Sequence, residues 1–297
     1  MRDAAIQAPS PHSRMTPQFA AQFADVQVRG LPLTLEYAWV NPAHQHVPLV
    51  VFLHDGLGSL AMWRDFPQKF CDAADLRGLV YSRWGYGRST PRPLGAKWPV
   101  EYMHSEAQHT LPALFQALAV DERPWLFGHS DGGSIALLYA SAYPDRVSGL
   151  IVVAPHVFVE EVTIANIERA RVAFEVGDLR ERLSRYHADP DSAFWGWNDI
   201  WLDPRFRKWS IENCLPAIRC PVLAVQGEDD EYGTMAQLDG IARGVPQARV
   251  VKLPACGHSP QRDQPALLTA AGVQFLHEHW SSTAGHPSRA RGARQVR

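Results

Sequence analysis

"GHSDGG", Gly128 to Gly133, stands between the apolar run "RPWLF" and the helix-like run "GGSIALLYA", and two of its glycines flank a serine at the spacing G-x-S-x-G. A serine placed where a strand turns sharply into a helix needs small neighbours, because the turn strains the backbone and brings adjacent chain segments close. Gly128 and Gly132 supply that space. The turn also lifts the Ser130 hydroxyl out of a sheet and aims the first amides of the helix at its surroundings, where negative charge is stabilised. Ser130 is therefore the candidate nucleophile.

A serine hydroxyl is a weak nucleophile at neutral pH, so it requires a base, and the base requires an orienting acid. "VLAVQGEDDEYG" places Asp229 and Asp230 just past one apolar run, and "VVKLPACGHSP" places His258 just past the next. In a parallel sheet the carboxyl ends of the strands share one edge, so residues this distant in sequence converge there. His258 then takes the Ser130 proton and returns it to the leaving group, while the acid fixes the ring tautomer. The turn "HDGLGS", His54 to Ser59, presents backbone N–H groups beside the nucleophile, and the N–H of Asp131 supplies a second oxyanion donor. His54 itself reads as structural, a ring bonded to the loop backbone.

Outward from this stretch, "PLVVFLH", "RGLVYSR", "RPWLFGH", "VSGLIVVAP", "CPVLAVQG" and "ARVVKLP" are short, continuous apolar runs of the kind that suits buried parallel strands. Helical stretches alternate with them, among them "SEAQHTLPALFQALAV" and "PALLTAAGVQFLHEHW". Strand, helix, strand repeats predict an α/β fold, a mostly parallel sheet with helices on both faces. "VQVRGLPLTLEYAWV" reads as a hairpin about Gly-Leu-Pro. The alternation breaks once, from about Glu160 to Ile218, where a charged helical segment is followed by an aromatic one. This is the expected cap over a ligand crevice, with Trp195, Trp197 and Trp201 as candidate substrate contacts. The expected organisation is a tail at 1–22, a core of 23–157 and 219–280, a cap at 158–218 and a basic, disordered tail at 281–297.

Composition narrows the partners. The 297 residues are 46% apolar and 20% charged, and 29 Lys and Arg against 31 Asp and Glu leave a net charge of −2, so no global field recruits nucleic acid or an anionic membrane. A small molecule is the expected partner. Cys71, Cys214, Cys220 and Cys256 form no C-x-x-C pair, which suggests neither a zinc site nor a disulfide framework. No long apolar stretch or secretory leader is apparent, so a cytoplasmic protein is expected. No metal or nucleotide cofactor is implied: His44 and His46 lie in a polar loop, and no glycine-rich phosphate loop opens a helix. Cys256, near His258, reads as a small buried neighbour. Oligomeric state is open.

With these residues in view, the chain from about Val26 to Trp280 resembles the α/β-hydrolase fold enzymes, with "HDGLGSLAMW", "RWGYGRST", "GHSDGG", "GEDD" and "CGHSP" in family order. The resemblance implies a nucleophile at Ser130, a base at His258, an acid at Asp230 rather than Asp229, an oxyanion donor at Gly56 and no cofactor. It departs from the family at Asp55, which replaces the glycine of the common His-Gly pair that precedes the oxyanion position. Serine at the elbow implies cleavage of an ester, thioester, amide or lactone. "SDGG" is similar to the elbow of amino-acid ester prodrug hydrolases and serine-dependent macrolide esterases, and "HDGLG" to the loop of proline iminopeptidases. A non-catalytic ligand-binding member of the fold is the alternative from another class.

Asp131 has three readings. Its carboxylate interacts with the helix dipole, pairs with an internal cation such as Arg88, or awaits a cationic group on the substrate.

Overall fold

The computed structural model describes residues 20–93 and 95–280. The expected basic tail and most of the expected N-terminal tail lie outside the described residues; Gln22, assigned to that tail, already opens the first strand. Eight strands, β1 (Gln22–Val28), β2 (Leu31–Val40), β3 (Leu49–Leu53), β4 (Arg77–Tyr81), β5 (Trp125–His129), β6 (Gly149–Val153), β7 (Val222–Gly227) and β8 (Arg249–Leu253), form one sheet in the order β1-β2-β4-β3-β5-β6-β7-β8. The β1–β2 and β2–β4 pairs are antiparallel and the others parallel. Each of the six apolar runs is a strand. The hairpin turns earlier than expected, at Arg29 and Gly30, whose φ values of 52° and 82° make a two-residue turn that leaves Leu31 and Pro32 inside β2.

Helices cover both faces. They are α1 (Phe66–Ala74), α2 (Tyr102–Ser105), α3 (Leu111–Ala117), α4 (Asp131–Ala142), α5 (Glu161–Val176), α6 (Leu179–Ser184), α7 (Pro190–Trp201), α8 (Ala236–Gly244), α9 (Pro260–Asp263) and α10 (Pro265–Trp280). Alternation along the strands divides the core. Leu126 of β5 packs in the layer that holds α3 and α4, whereas Trp125 and Phe127 pack in the layer that holds α1 and α10. The strands β3, β5, β6 and β7 are buried along their whole length, which is why they read as unbroken apolar runs. At the sheet edge, β8 has Arg249 exposed and only Leu253 fully buried.

Helices α5, α6 and α7 form the insertion between β6 and β7. It is tied to the core at several points. Gly87 N donates to His187 Nδ1 (2.9 Å), His187 Nε2 donates to the Leu57 carbonyl (3.0 Å), and Arg92 N donates to Ser192 Oγ (2.8 Å). Among the described residues no helix is long and apolar enough to cross a membrane.

Phe127 anchors the α1 face, its ring 5.1 Å from Phe70, 5.3 Å from Phe52 and 5.4 Å from Phe66. Phe127→Ala is expected to cost about 3–5 kcal/mol. Urea unfolding should show a lowered midpoint with an unchanged slope.

Candidate active site

Ser130 joins β5 to α4 with φ 53° and ψ −119°, a conformation rare outside glycine. Three backbone bonds hold it there: Ser130 N donates to the Val153 carbonyl (2.8 Å), and Gly133 N (2.8 Å) and Ser134 N (3.1 Å) donate to the Ser130 carbonyl. The flanking glycines are required by close approach. A Cβ at 128 would overlap the Gly132 carbonyl, and one at 132 the Leu53 carbonyl.

The carboxyl ends of β5, β7 and β8 bring the distant polar residues together. His258 Nε2 lies 3.0 Å from Ser130 Oγ, and its Nδ1 lies 2.8 Å from Asp230 Oδ1. Asp230 is fixed in turn, since Tyr232 N (2.8 Å) donates to Oδ1 and Gln226 Nε2 (3.0 Å) to Oδ2. Asp229 is exposed and engages Cys256 only through its backbone N–H. Burial alone would depress the His258 pKa, but the hydrogen bond and charge of Asp230, with smaller contributions from Asp55 and Glu231, raise it above the ordinary histidine value. Asp230 moves the other way: burial disfavours its charge, but the hydrogen bond and charge of His258, with smaller contributions from the Tyr232 N–H and His156, together lower the pKa.

Gly56 and Asp131 carry the expected donor groups. The Asp55 carbonyl, which shares a peptide plane with the Gly56 N–H, accepts from Arg83 Nη2 (2.7 Å), His54 Nδ1 (2.8 Å) and Gly58 N (3.1 Å). A trans peptide sends its N–H opposite to its carbonyl, so these three donors direct the Gly56 N–H away from themselves. His54 Nε2 accepts from Arg83 N at 3.0 Å, which assigns the ring its Nδ1–H tautomer and a structural place. Trp197 covers Gly56 so closely that a Cβ there would overlap its indole. Asp131 begins α4, where no preceding helical turn accepts its N–H.

The Asp131 carboxylate is 1% exposed and has an internal partner, but the cation is Arg83 and not Arg88. Arg83 Nη2 stands 3.6 Å from Asp131 Oδ2, which also accepts from the Tyr102 hydroxyl at 2.7 Å. Arg88 instead bonds Glu36, Nε to Oε1 at 2.6 Å. Burial raises the Asp131 carboxyl pKa, against the opposing pull of Arg83 and Tyr102.

A cavity of about 250 Å³ opens over Ser130. All three helices of the insertion contribute to it, through Ile167 of α5, Leu183 of α6, and Trp197 and Trp201 of α7. Trp195 lies off its wall: its ring meets Phe174 at 5.5 Å and Phe194 at 5.1 Å, and Arg171 lies over its face. Asp55 and Glu231 also line the cavity, with Arg262 as the facing cation.

Two buried histidines complete the surroundings and were not singled out by any sequence pattern. His129 Nε2 donates to the His258 carbonyl (2.7 Å) and its Nδ1 accepts from Gln261 (3.0 Å), while burial lowers its pKa to about 4, so the ring ties down the His258 loop without charge. His156 packs 5.0 Å from Trp201 and 5.8 Å from His258, with a pKa lowered by burial to about 3. Cys256 is buried beside this loop and its thiol is pushed up to about 11, first by burial, so it stays protonated.

Residues 50–271 match the model of the alpha/beta hydrolase family, and the chain belongs to that family. Human serine hydrolase BPHL is 27% identical over 187 residues, an alignment that covers 59% of this chain and only 60% of that relative. A proline iminopeptidase of Thermoplasma volcanium is 24% identical over 296 aligned positions, covering 86% of this chain and 96% of its own. Among solved structures, a thermophilic esterase from Thermogutta terrifontis superposes with a TM-score of 0.69 at 22% identity, covering 87% of this chain and 99% of that one, which shows the fold.

Breaking a buried pair from one side leaves an uncompensated charge, so Arg83→Met should destabilise the protein by about 3–5 kcal/mol. Adding Asp131→Asn should recover part of that loss. A double-mutant cycle by chemical unfolding measures it, and additive losses would show that the pair is not coupled.

Proposed function

We propose that this protein is a serine-dependent carboxylic ester or lactone hydrolase that works through an acyl-enzyme. The observation that carries the reading is the continuous hydrogen-bonded line from Ser130 Oγ through His258 to Asp230, starting on a strained backbone at a strand-to-helix turn. In this mechanism His258 Nε2 accepts the Ser130 proton as Oγ attacks the carbonyl carbon. Asp230 holds the ring with Nδ1–H toward itself and stabilises the imidazolium, and the Gly56 and Asp131 N–H groups receive the oxyanion. His258 then protonates the leaving alcohol. Water, deprotonated by the same nitrogen, attacks the acyl-enzyme and restores Ser130.

The cavity supports small substrates. A volume of about 250 Å³ lies just below the usual range for drug-sized ligand sites, so one side of an ester fits inside and a macrolide would keep most of its ring outside. For cationic substrates, Asp131 is already engaged by Arg83 and Tyr102, and the other carboxylates at the cavity wall are Asp55 and Glu231, the latter accepting from His258 N at 3.1 Å. Asp131→Asn is accordingly expected to slow neutral and amine-bearing esters alike. A loss confined to amine-bearing esters would return the amine to Asp131.

The direct test is turnover of p-nitrophenyl acetate, which Ser130→Ala should reduce by about 10⁴-fold or more. A well-folded wild-type protein without turnover would favour a ligand binder of the same fold. An amino-acid amide and a macrolide, each followed for the gain of one water, extend the panel to the peptidase and antibiotic classes.

The raised His258 pKa fixes the pH dependence. A base must be unprotonated to act, so kcat/KM should rise with pH through an apparent pKa above about 6.5. Asp230→Asn removes the raising charge while burial remains, so the limb should move to lower pH as the rate falls about 10⁴-fold.

A further inference from the structure

The stretch "RYHADP", Arg185 to Pro190, joins α6 to α7 within the insertion, and its histidine takes no part in the proton transfers proposed above. The helix ends fix where the ring goes. His187 N donates to the Leu183 carbonyl (3.0 Å) just past α6, and the Asp189 carboxylate caps α7 by accepting from Ser192 N (2.8 Å). Between them, Ala188 N donates to the Gly87 carbonyl (2.8 Å), which bonds this connection to the segment after β4. The His187 ring is thereby buried between insertion and core, 4% exposed.

Both ring nitrogens are committed, each to a different core segment. Nδ1 accepts from Gly87 N (2.9 Å), and Nε2 donates to the Leu57 carbonyl (3.0 Å). An amide N–H only donates and a carbonyl only accepts, so the ring is neutral with its proton on Nε2. Burial lowers its pKa and keeps the Nδ1 lone pair available.

The Leu57 carbonyl belongs to the peptide whose other end is the Gly58 N–H. That N–H donates to the Asp55 carbonyl (3.1 Å) and closes a four-residue turn, Asp55 to Gly58. Rotating the Leu57–Gly58 peptide would break the closing bond, and the Asp55 carbonyl shares its own peptide plane with the Gly56 N–H. Arg83 and His54 hold the Asp55 side of the turn from the core. His187 holds the Leu57 side, through the one hydrogen bond that joins the insertion to this turn among the described residues.

We infer that His187 is a positioning residue for the oxyanion turn: its Nε2–H, acting through the Leu57 carbonyl, keeps the Gly56 N–H aimed at the developing oxyanion. The insertion must then be seated on the core for the donor to be set. This rests on the reading of Ser130 as nucleophile and Gly56 as donor. The two ring nitrogens have separable effects, since the Nε2 bond governs rate and the Nδ1 bond only fastens the connection to Gly87.

Kinetics on p-nitrophenyl acetate with three variants test this. In His187→Gln the amide nitrogen reaches the place of Nε2 and donates to Leu57. In His187→Asn the amide oxygen reaches the place of Nδ1 and accepts from Gly87, leaving Leu57 without its donor; His187→Leu makes neither bond. A misplaced donor costs less than a deleted one, so kcat should fall about 10- to 100-fold in the Asn and Leu variants with KM within about 3-fold of wild type. The Gln variant should keep kcat within about 3-fold.

Inhibition separates this from a general disturbance of the cavity. Ser130 Oγ adds to the carbonyl carbon of 1,1,1-trifluoro-4-phenylbutan-2-one, its proton passes to His258, and the carbonyl electrons move to an oxyanion at the donors. Its inhibition constant should rise in parallel with the loss of kcat, whereas 4-phenylbutan-2-one should bind all four proteins alike. Melting curves confirm folding, and if His187→Leu does not fold, the Asn and Gln variants decide. Unchanged kcat in His187→Asn, a Gln variant as slow as Asn, or equal weakening of both ketones would overturn the inference and leave the hydrolase reading standing. Wild-type protein with neither turnover nor a trifluoroketone adduct would overturn both.

Discussion

Holding a non-glycine residue at φ 53° and ψ −119° costs on the order of 1–3 kcal/mol, and the architecture around Ser130 is arranged so that this conformation persists. Parallel pairing of β5 with β3 and β6 sets the strand on which the turn is built. The Val153 carbonyl takes the Ser130 N–H, and Gly128 and Gly132 permit neighbouring backbone to approach where any side chain would collide. The chemistry proposed for the site uses this turn, which holds Ser130 Oγ 3.0 Å from His258 Nε2.

Arg83 supports the second half of the site. One guanidinium bonds the Asp55 carbonyl and faces the Asp131 carboxylate, so a single buried cation connects the two backbone segments whose N–H groups, at Gly56 and Asp131, are proposed as oxyanion donors. Tyr102 completes the connection from α2. Asp131 thus contributes its N–H to one side of the elbow and its carboxylate to the interior on the other. The acid that follows the serine has an architectural role before any role toward substrate.

Much of this was legible in the sequence, for identifiable reasons. Each buried strand reads as a continuous apolar run because both faces are covered, and the elbow reads from its glycines because backbone contact leaves no alternative. Side-chain direction was harder to read. Arg83 and Arg88 lie close together, but continuing the alternation of β4 puts Arg83 on the same face as Leu79 and Tyr81, toward α4, and that signal was available. Trp197 and Trp201 are four apart and share one helix face, whereas Trp195, two residues earlier, points away. His129 and His156 carry no pattern at all: their positions follow from strand ends meeting in space, which spacing along the chain does not encode.

The central claim, that Ser130 forms a covalent acyl intermediate, is tested most directly by quenching the protein with acid during turnover of p-nitrophenyl acetate and locating the adduct by peptide mass. The account predicts one acetyl group, on the peptide containing Ser130 and on that side chain. Turnover with no acetylated Ser130, or with the acetyl group on another residue and activity preserved in Ser130→Ala, would contradict it.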